Sequence, residues 1–200
     1  MTVNEQLQDV ARALRWIRDH GSQYPCDMRN IMLTGDSAGG QLAAYSAVLM
    51  QSAQLRKTFD TVDPQMELTA LLLTSPVAFM RDGGLFSLYT KPMWGTDYKD
   101  KATYPYMDFD QIIDYAQALP PTYLITSSGD TLANKQTHRL YEVLQAHGVQ
   151  AEIKDYAKAE YNQSLPHVFS VLQPFEPAGT AAIDKALAFY QQAMTAKAAQ

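Results

Sequence analysis

An α/β fold, built on a mostly parallel sheet with helices on both faces, is predicted by three observations. Strand-sized apolar runs alternate with segments of helical periodicity along the whole chain. One glycine-flanked serine turn, Gly35-Asp36-Ser37-Ala38-Gly39, falls directly after a strand pattern and directly before a helical one. Apolar residues make up 46% of 200 residues, enough for a real core in one domain, residues 1–200, with no repeat or linker dividing it.

The elements follow in order. Leu7, Val10, Ala11, Leu14 and Ile17 lie at helical spacing, with Thr2 and Glu5 as a capping box and Gly21 as a stop. Ile31 to Gly35 is a short buried strand, and Gln41 to Leu55, rich in Ala, Leu and Met, is a helix. Leu68 to Thr74 is a second strand, halted by Ser75-Pro76. Residues 77–109 show no period; Gln111 to Leu119 could form one short helix. Thr122 to Thr126 is the third strand and Lys135 to His147 a helix closed by Gly148. Gln150 to Tyr156 alternates as a fourth strand. Thr180 to Lys197 is a terminal helix with Ile183, Leu187, Tyr190 and Met194 on one side. Strand–helix–strand units of this kind cross over right-handed and give a parallel sheet.

Composition excludes several functions. A net charge of −5 lacks the clustered cations that nucleic acid requires. No apolar run approaches the ~20 residues of a membrane span, and the first residues show no signal peptide, so the cytoplasm is the expected location. A single cysteine, Cys26, excludes an internal disulfide. No metal or cofactor is implied.

The serine turn carries the chemistry. A serine hydroxyl is a weak nucleophile unless presented to a base at a fixed point. A sharp strand-to-helix turn does this, and glycines two residues either side, Gly35 and Gly39, relieve the crowding. The Ala38 N–H, at the start of the helix, would be one oxyanion donor. The plain alternative is Ser37 as a helix N-cap. A base and an orienting acid belong past the carboxyl ends of later strands. Asp130 follows the third strand, although Ser-Gly-Asp-Thr is also a turn sequence; His167 lies on the loop after the fourth, although it could be a surface histidine. His20, His138 and His147 sit on or at the ends of helices, and Asp155 is the second candidate acid.

These stretches together resemble the α/β-hydrolase superfamily, within it the hormone-sensitive-lipase-like esterases and acetyl esterases. The likeness rests on Asp9 to Trp16, on Asp27 to Gly40, on Gly129-Asp130-Thr131-Leu132 and on Pro166-His167-Val168-Phe169. It implies Ser37 as nucleophile, His167 as base, Asp130 as its orienter, and Gly35, Gly39 and Gly40 as elbow glycines. It departs from the family at Thr131, where Pro is favoured, at Asn134, near a frequent acidic residue, and at Val168, after the histidine, where the family's H-G-F has Gly. The expected activity is hydrolysis of small carboxylic esters through an acyl-enzyme, with an amidase or peptidase, or a non-catalytic interaction module, as alternatives. Residues 77–118, rich in aromatics, are expected to form a lid or pocket, with Phe79, Trp94 and Tyr98 against substrate, or else to pack as a satellite core.

The resemblance covers the later part of the family fold. No His-Gly-Gly motif precedes Ser37, so a second oxyanion donor and the earlier strands are expected to be missing. The strand Ile31 to Gly35 would then form an open sheet edge, to be covered by a second copy or a partner chain, and the chain alone would be weakly active.

Overall fold

A computed structural model describes residues 1–81 and 86–199. Its centre is a four-stranded parallel sheet in sequential order: β1 (Met32–Asp36), β2 (Ala70–Thr74), β3 (Thr122–Ser127) and β4 (Ala151–Tyr156). Registers pair Met32 with Ala70, Leu71 with Thr122, and Thr122 with Ala151. All four expected strands are present, within two residues of the expected bounds. Among the described residues, β1 is hydrogen-bonded only to β2.

One sheet face is covered by α1 (Val3–His20), α2 (Ala38–Gln51), α3 (Ala53–Phe59), α4 (Phe86–Trp94) and α5 (Asn134–Ala146). Helix α1 starts at the expected box: the Glu5 N–H donates to Thr2 Oγ1 and the Thr2 N–H to Glu5 Oε2. Leu7, Ala11 and Leu14 point inward, whereas Ile17 is exposed. The helix expected over Gln41 to Leu55 is two. Ser52 leaves the helical region at φ −121°, and its hydroxyl accepts from the Leu55 N–H, capping α3 afresh.

The other face is covered by α8 (Pro177–Ala198), with α6 (Lys158–Tyr161) and α7 (Phe169–Leu172) before it. The buried stripe of α8 is Ala178, Ala182, Ala186, Phe189 and Ala193, while Ile183 and Leu187 face outward. Small residues let the helix lie close to the sheet, where Phe189 meets Tyr123 at 5.3 Å.

The segment after β2 belongs to the first core. It contains α4, which has Pro92 within it, and 3₁₀ turns where a helix over Gln111 to Leu119 was expected. Phe79, Met80, Trp94, Met107, Phe109, Ile112 and Ile113 join the main cluster. Asp108 ties its base: Oδ1 accepts from the N–H groups of Met80 and Arg81. The buried Gln136 side chain bridges Ala78 and Phe79 to α5.

Candidate active site

Strand β1 ends at Asp36, α2 begins at Ala38, and Ser37 alone makes the turn, at φ 51° and ψ −118°. A non-glycine residue there costs about 1–3 kcal/mol, tolerated only where the surroundings over-determine it. They do: the Ser37 N–H donates to Thr74 O, and Ser37 O accepts from the N–H groups of Gln41 and Val77. Ser37 makes no side-chain cap to α2 and lacks the extended backbone of an N-cap, so the capping alternative is set aside.

The elbow glycines differ in necessity. A Cβ on Gly35 would stand 2.1 Å from the Gly39 carbonyl oxygen, and one on Gly40 2.8 Å from Pro76 Cβ. A Cβ on Gly39 would meet nothing nearer than Asp36 Oδ1 at 3.9 Å. The steric need expected at Gly39 therefore falls on Gly40, where α2 crosses the turn after β2.

Asp130 and His167 are brought to Ser37 from 93 and 130 residues away along the chain. His167 Nδ1 lies 2.9 Å from Asp130 Oδ2, and Nε2 lies 2.9 Å from Ser37 Oγ. Since a carboxylate only accepts, the Nδ1–H donates to Asp130, and Nε2 is left to accept from the serine hydroxyl. The Asp130 side chain is 0% exposed and that of His167 23%. The other Asp130 oxygen accepts from the N–H groups of Leu132 and Ala133. Burial alone raises this carboxyl; the hydrogen bonds from His167 and Ala133 outweigh it and hold Asp130 below the usual aspartate range.

The second candidate acid, Asp155, faces elsewhere: its Oδ2 lies 2.9 Å from His138 Nε2 and 3.0 Å from Asn134 Nδ2. His20 bonds the Trp16 carbonyl, and His147 bonds Val143 O and Asp114. Three features were not found from sequence. Ser127 donates its hydroxyl to Leu165 O at 2.6 Å, Gly129 lets the Leu165 backbone approach, and Val168 takes a left-handed φ of 52° just after the histidine. A glycine would take such a φ without strain; the β-branched Val168 does not.

The expected pocket lining is corrected. Phe79 and Trp94 are 0% and 2% exposed within the core, so neither presents surface to a substrate. Tyr98 is half-buried and packs on Tyr104. A cavity of about 550 Å³ lies at the amino ends of the strands, around Thr69, Pro121, Gln150 and Lys197, on the opposite end from Ser37, and one of about 700 Å³ beside it is lined by Arg18, Arg29, Asp63 and Lys197. Among the described residues, no group of three or more His, Cys, Asp or Glu could hold a metal, and no helix is long and apolar enough to cross a membrane.

A sequentially ordered parallel sheet, covered by helices on both faces and carrying this elbow between β1 and α2, has the pattern of the α/β hydrolase fold. Residues 2–164 match the family described as "alpha/beta hydrolase fold", and the chain belongs to it. It is 26% identical over 189 residues to the probable carboxylic ester hydrolase LipM of Mycobacterium tuberculosis, covering 92% of this chain and 43% of that protein. Esterase B from Lactobacillus rhamnosis superposes with a TM-score of 0.89 at 27% identity, over 98% of this chain and 63% of its own. A second structure of esterase B, described as inhibited by a C4-C4 SN3 tributyrin phosphonate, gives 0.87 at 28% identity, over 100% and 65%. The chain thus spans less than two thirds of these relatives.

Proposed function

We propose that this chain carries the acyl-transfer site of a serine hydrolase that cleaves small carboxylic esters. The observation that carries the reading is the relay Ser37 Oγ, His167 and Asp130, with both links at 2.9 Å. His167 takes the proton of Ser37 as its oxygen attacks the ester carbonyl. The oxyanion rests against the Ala38 N–H at the start of α2, and His167, now cationic, protonates the leaving alcohol. Water, deprotonated by the same imidazole, then releases the acid and frees Ser37. Asp130 keeps the tautomer and stabilises the imidazolium.

Relatives named as ester hydrolases support an ester substrate, and the tributyrin phosphonate on esterase B supports short acyl chains. We assign the free edge of β1 as the place where a further strand pairs, since its outer side has no described partner and the relatives are longer. A fluorophosphonate probe tests the nucleophile. Labelling of the parent and none of Ser37→Ala is the expected result; equal labelling of both would remove the assignment. Faster turnover of p-nitrophenyl acetate than of the matching anilide separates an esterase from an amidase.

A further inference from the structure

A fully buried hydroxyl must find a hydrogen-bond partner or bear the cost of desolvation. Ser127, at the end of β3, is such a group. Its Oγ donates at 2.6 Å to the carbonyl of Leu165, 38 residues on and two before His167. The same residue holds the acid turn, because its carbonyl accepts from the Asp130 N–H at 3.0 Å and from Asn134 Nδ2 at 2.9 Å. One residue therefore touches both loops, acid on one side and base on the other. Gly129 completes the contact: a Cβ there would stand 2.5 Å from Leu165 O, so only glycine lets the loops meet backbone to backbone.

Few hydrogen bonds join them. Among the described residues, the Ser127–Leu165 bond and the Asp130–His167 bond are the hydrogen bonds linking residues 127–134 to residues 160–168. Gln163 is turned away, bonding Gln173 and the Ala178 N–H at the start of α8. Val168, just beyond the histidine, is in a strained left-handed conformation and leads into α7. Ser128 bonds Tyr156 O where the loop leaves β4, and Leu165 packs with Ile125 and Phe169; close to His167, the one hydrogen bond to the acid turn besides that of the Ser127 hydroxyl is the bond used in catalysis.

We infer that Ser127, with Gly129, is a positioning residue that fixes the separation of His167 from Asp130 by clamping the Leu165 carbonyl. This rests on the triad proposed above, but its geometry can be read without turnover. In Ser127→Ala the loop should drift on the order of 1 Å, a displacement that costs about 100-fold in rate.

The test uses the full 200-residue chain as parent, Ser127→Ala, Gly129→Ala, Ser37→Ala and His167→Ala. Melting curves establish which variants are folded. Proton NMR reads the downfield imidazole N–H of the Asp130–His167 bond, assigned by its loss in His167→Ala. Fluorophosphonate labelling and ester hydrolysis read the chemistry. The expected result for folded Ser127→Ala is a broadened or missing N–H line, with labelling and kcat reduced about 10- to 100-fold and KM unchanged. Gly129→Ala should give the same pattern by steric separation, and it carries the test if Ser127→Ala does not fold. A parent-like line and labelling rate in either folded variant overturns the clamp. If the parent shows the line, and Ser127→Ala loses it, but Ser37 is never labelled, the triad reading fails while the clamp stands.

Discussion

Two aspartate–histidine pairs stand near the carboxyl ends of β3 and β4, each with its nitrogen and oxygen 2.9 Å apart. By distance they are equal. The Asp130 side chain is fully buried and braced by two backbone N–H groups. The Asp155 side chain is 32% exposed, shares Oδ2 between His138 and Asn134, and leaves Oδ1 buried without a partner. His167 turns Nδ1 to its acid and presents Nε2 to a serine on a strained elbow. His138 turns Nε2 to its acid, and its side chain is 43% exposed. Separation alone does not set the proposed catalytic pair apart from a surface link; burial, ring orientation and the neighbouring serine do.

The largest effects break the first pair and spare the second. Ser37→Ala and His167→Ala should each bring ester hydrolysis to background, by analogy with triad removals of about 10⁶, and the double variant should be no worse. His138→Ala should stay within about twofold, since it meets no reacting atom; an equal loss there would erase the distinction between the pairs. Next, Asp130→Asn should slow hydrolysis by about 10⁴ with the fold kept, because the amide favours the wrong tautomer. Asp155→Asn in the same assay should leave kcat near the parent's.

Removing the nucleophile's seat sharpens the contrast without touching either pair. Gly35→Ala puts a Cβ 2.1 Å from the Gly39 carbonyl and should destabilise by about 3 kcal/mol or more in denaturant titration. Gly39→Ala, in open space, should be far milder. The first pair also carries a pH signature. The Asp130 carboxyl is lowered in the folded state, so the stability it contributes is fully present above the unfolded value of about 3.9 and is lost as pH falls through the lower folded value. Below pH 4 the parent's melting temperature should therefore fall more steeply than that of Asp130→Asn. The smallest effect belongs to the half-exposed pair: His138→Ala should cost about 0.2–1 kcal/mol, since Asn134 still donates to the Asp155 oxygen that the histidine leaves.

Much of this arrangement was legible in the residues. Four strand-sized apolar runs located the strands though not their order in the sheet, and the serine, aspartate and histidine each follow one of them at the end where such sheets place their sites. What escaped reading was set by contacts distant in sequence. Helix α8 buries alanines and turns Ile183 and Leu187 outward, because close packing on the sheet outweighs residue size. Ser52 divides α2 from α3 by capping, which no period reveals. The aromatics after β2 are plentiful enough to suggest a lid, yet Phe79 and Trp94 complete the core; composition cannot say which side of a segment faces the sheet. Ser127 looks like any serine at a strand end until Leu165 is folded against it.

The distances along the chain between the three site residues order the events of folding. Asp130 and His167 are 37 residues apart, on the loops that follow the two strands of one strand–helix–strand unit, whereas Ser37 and His167 are 130 residues apart. Loop closure grows costlier with separation, and non-local pairing is slow. The acid–base pair can assemble as soon as β3, α5 and β4 dock. The serine joins only when β2 has bridged β1 to that unit, since the sheet is built in strict sequence. Recovery of fluorophosphonate labelling after refolding should accordingly lag behind recovery of helical circular dichroism.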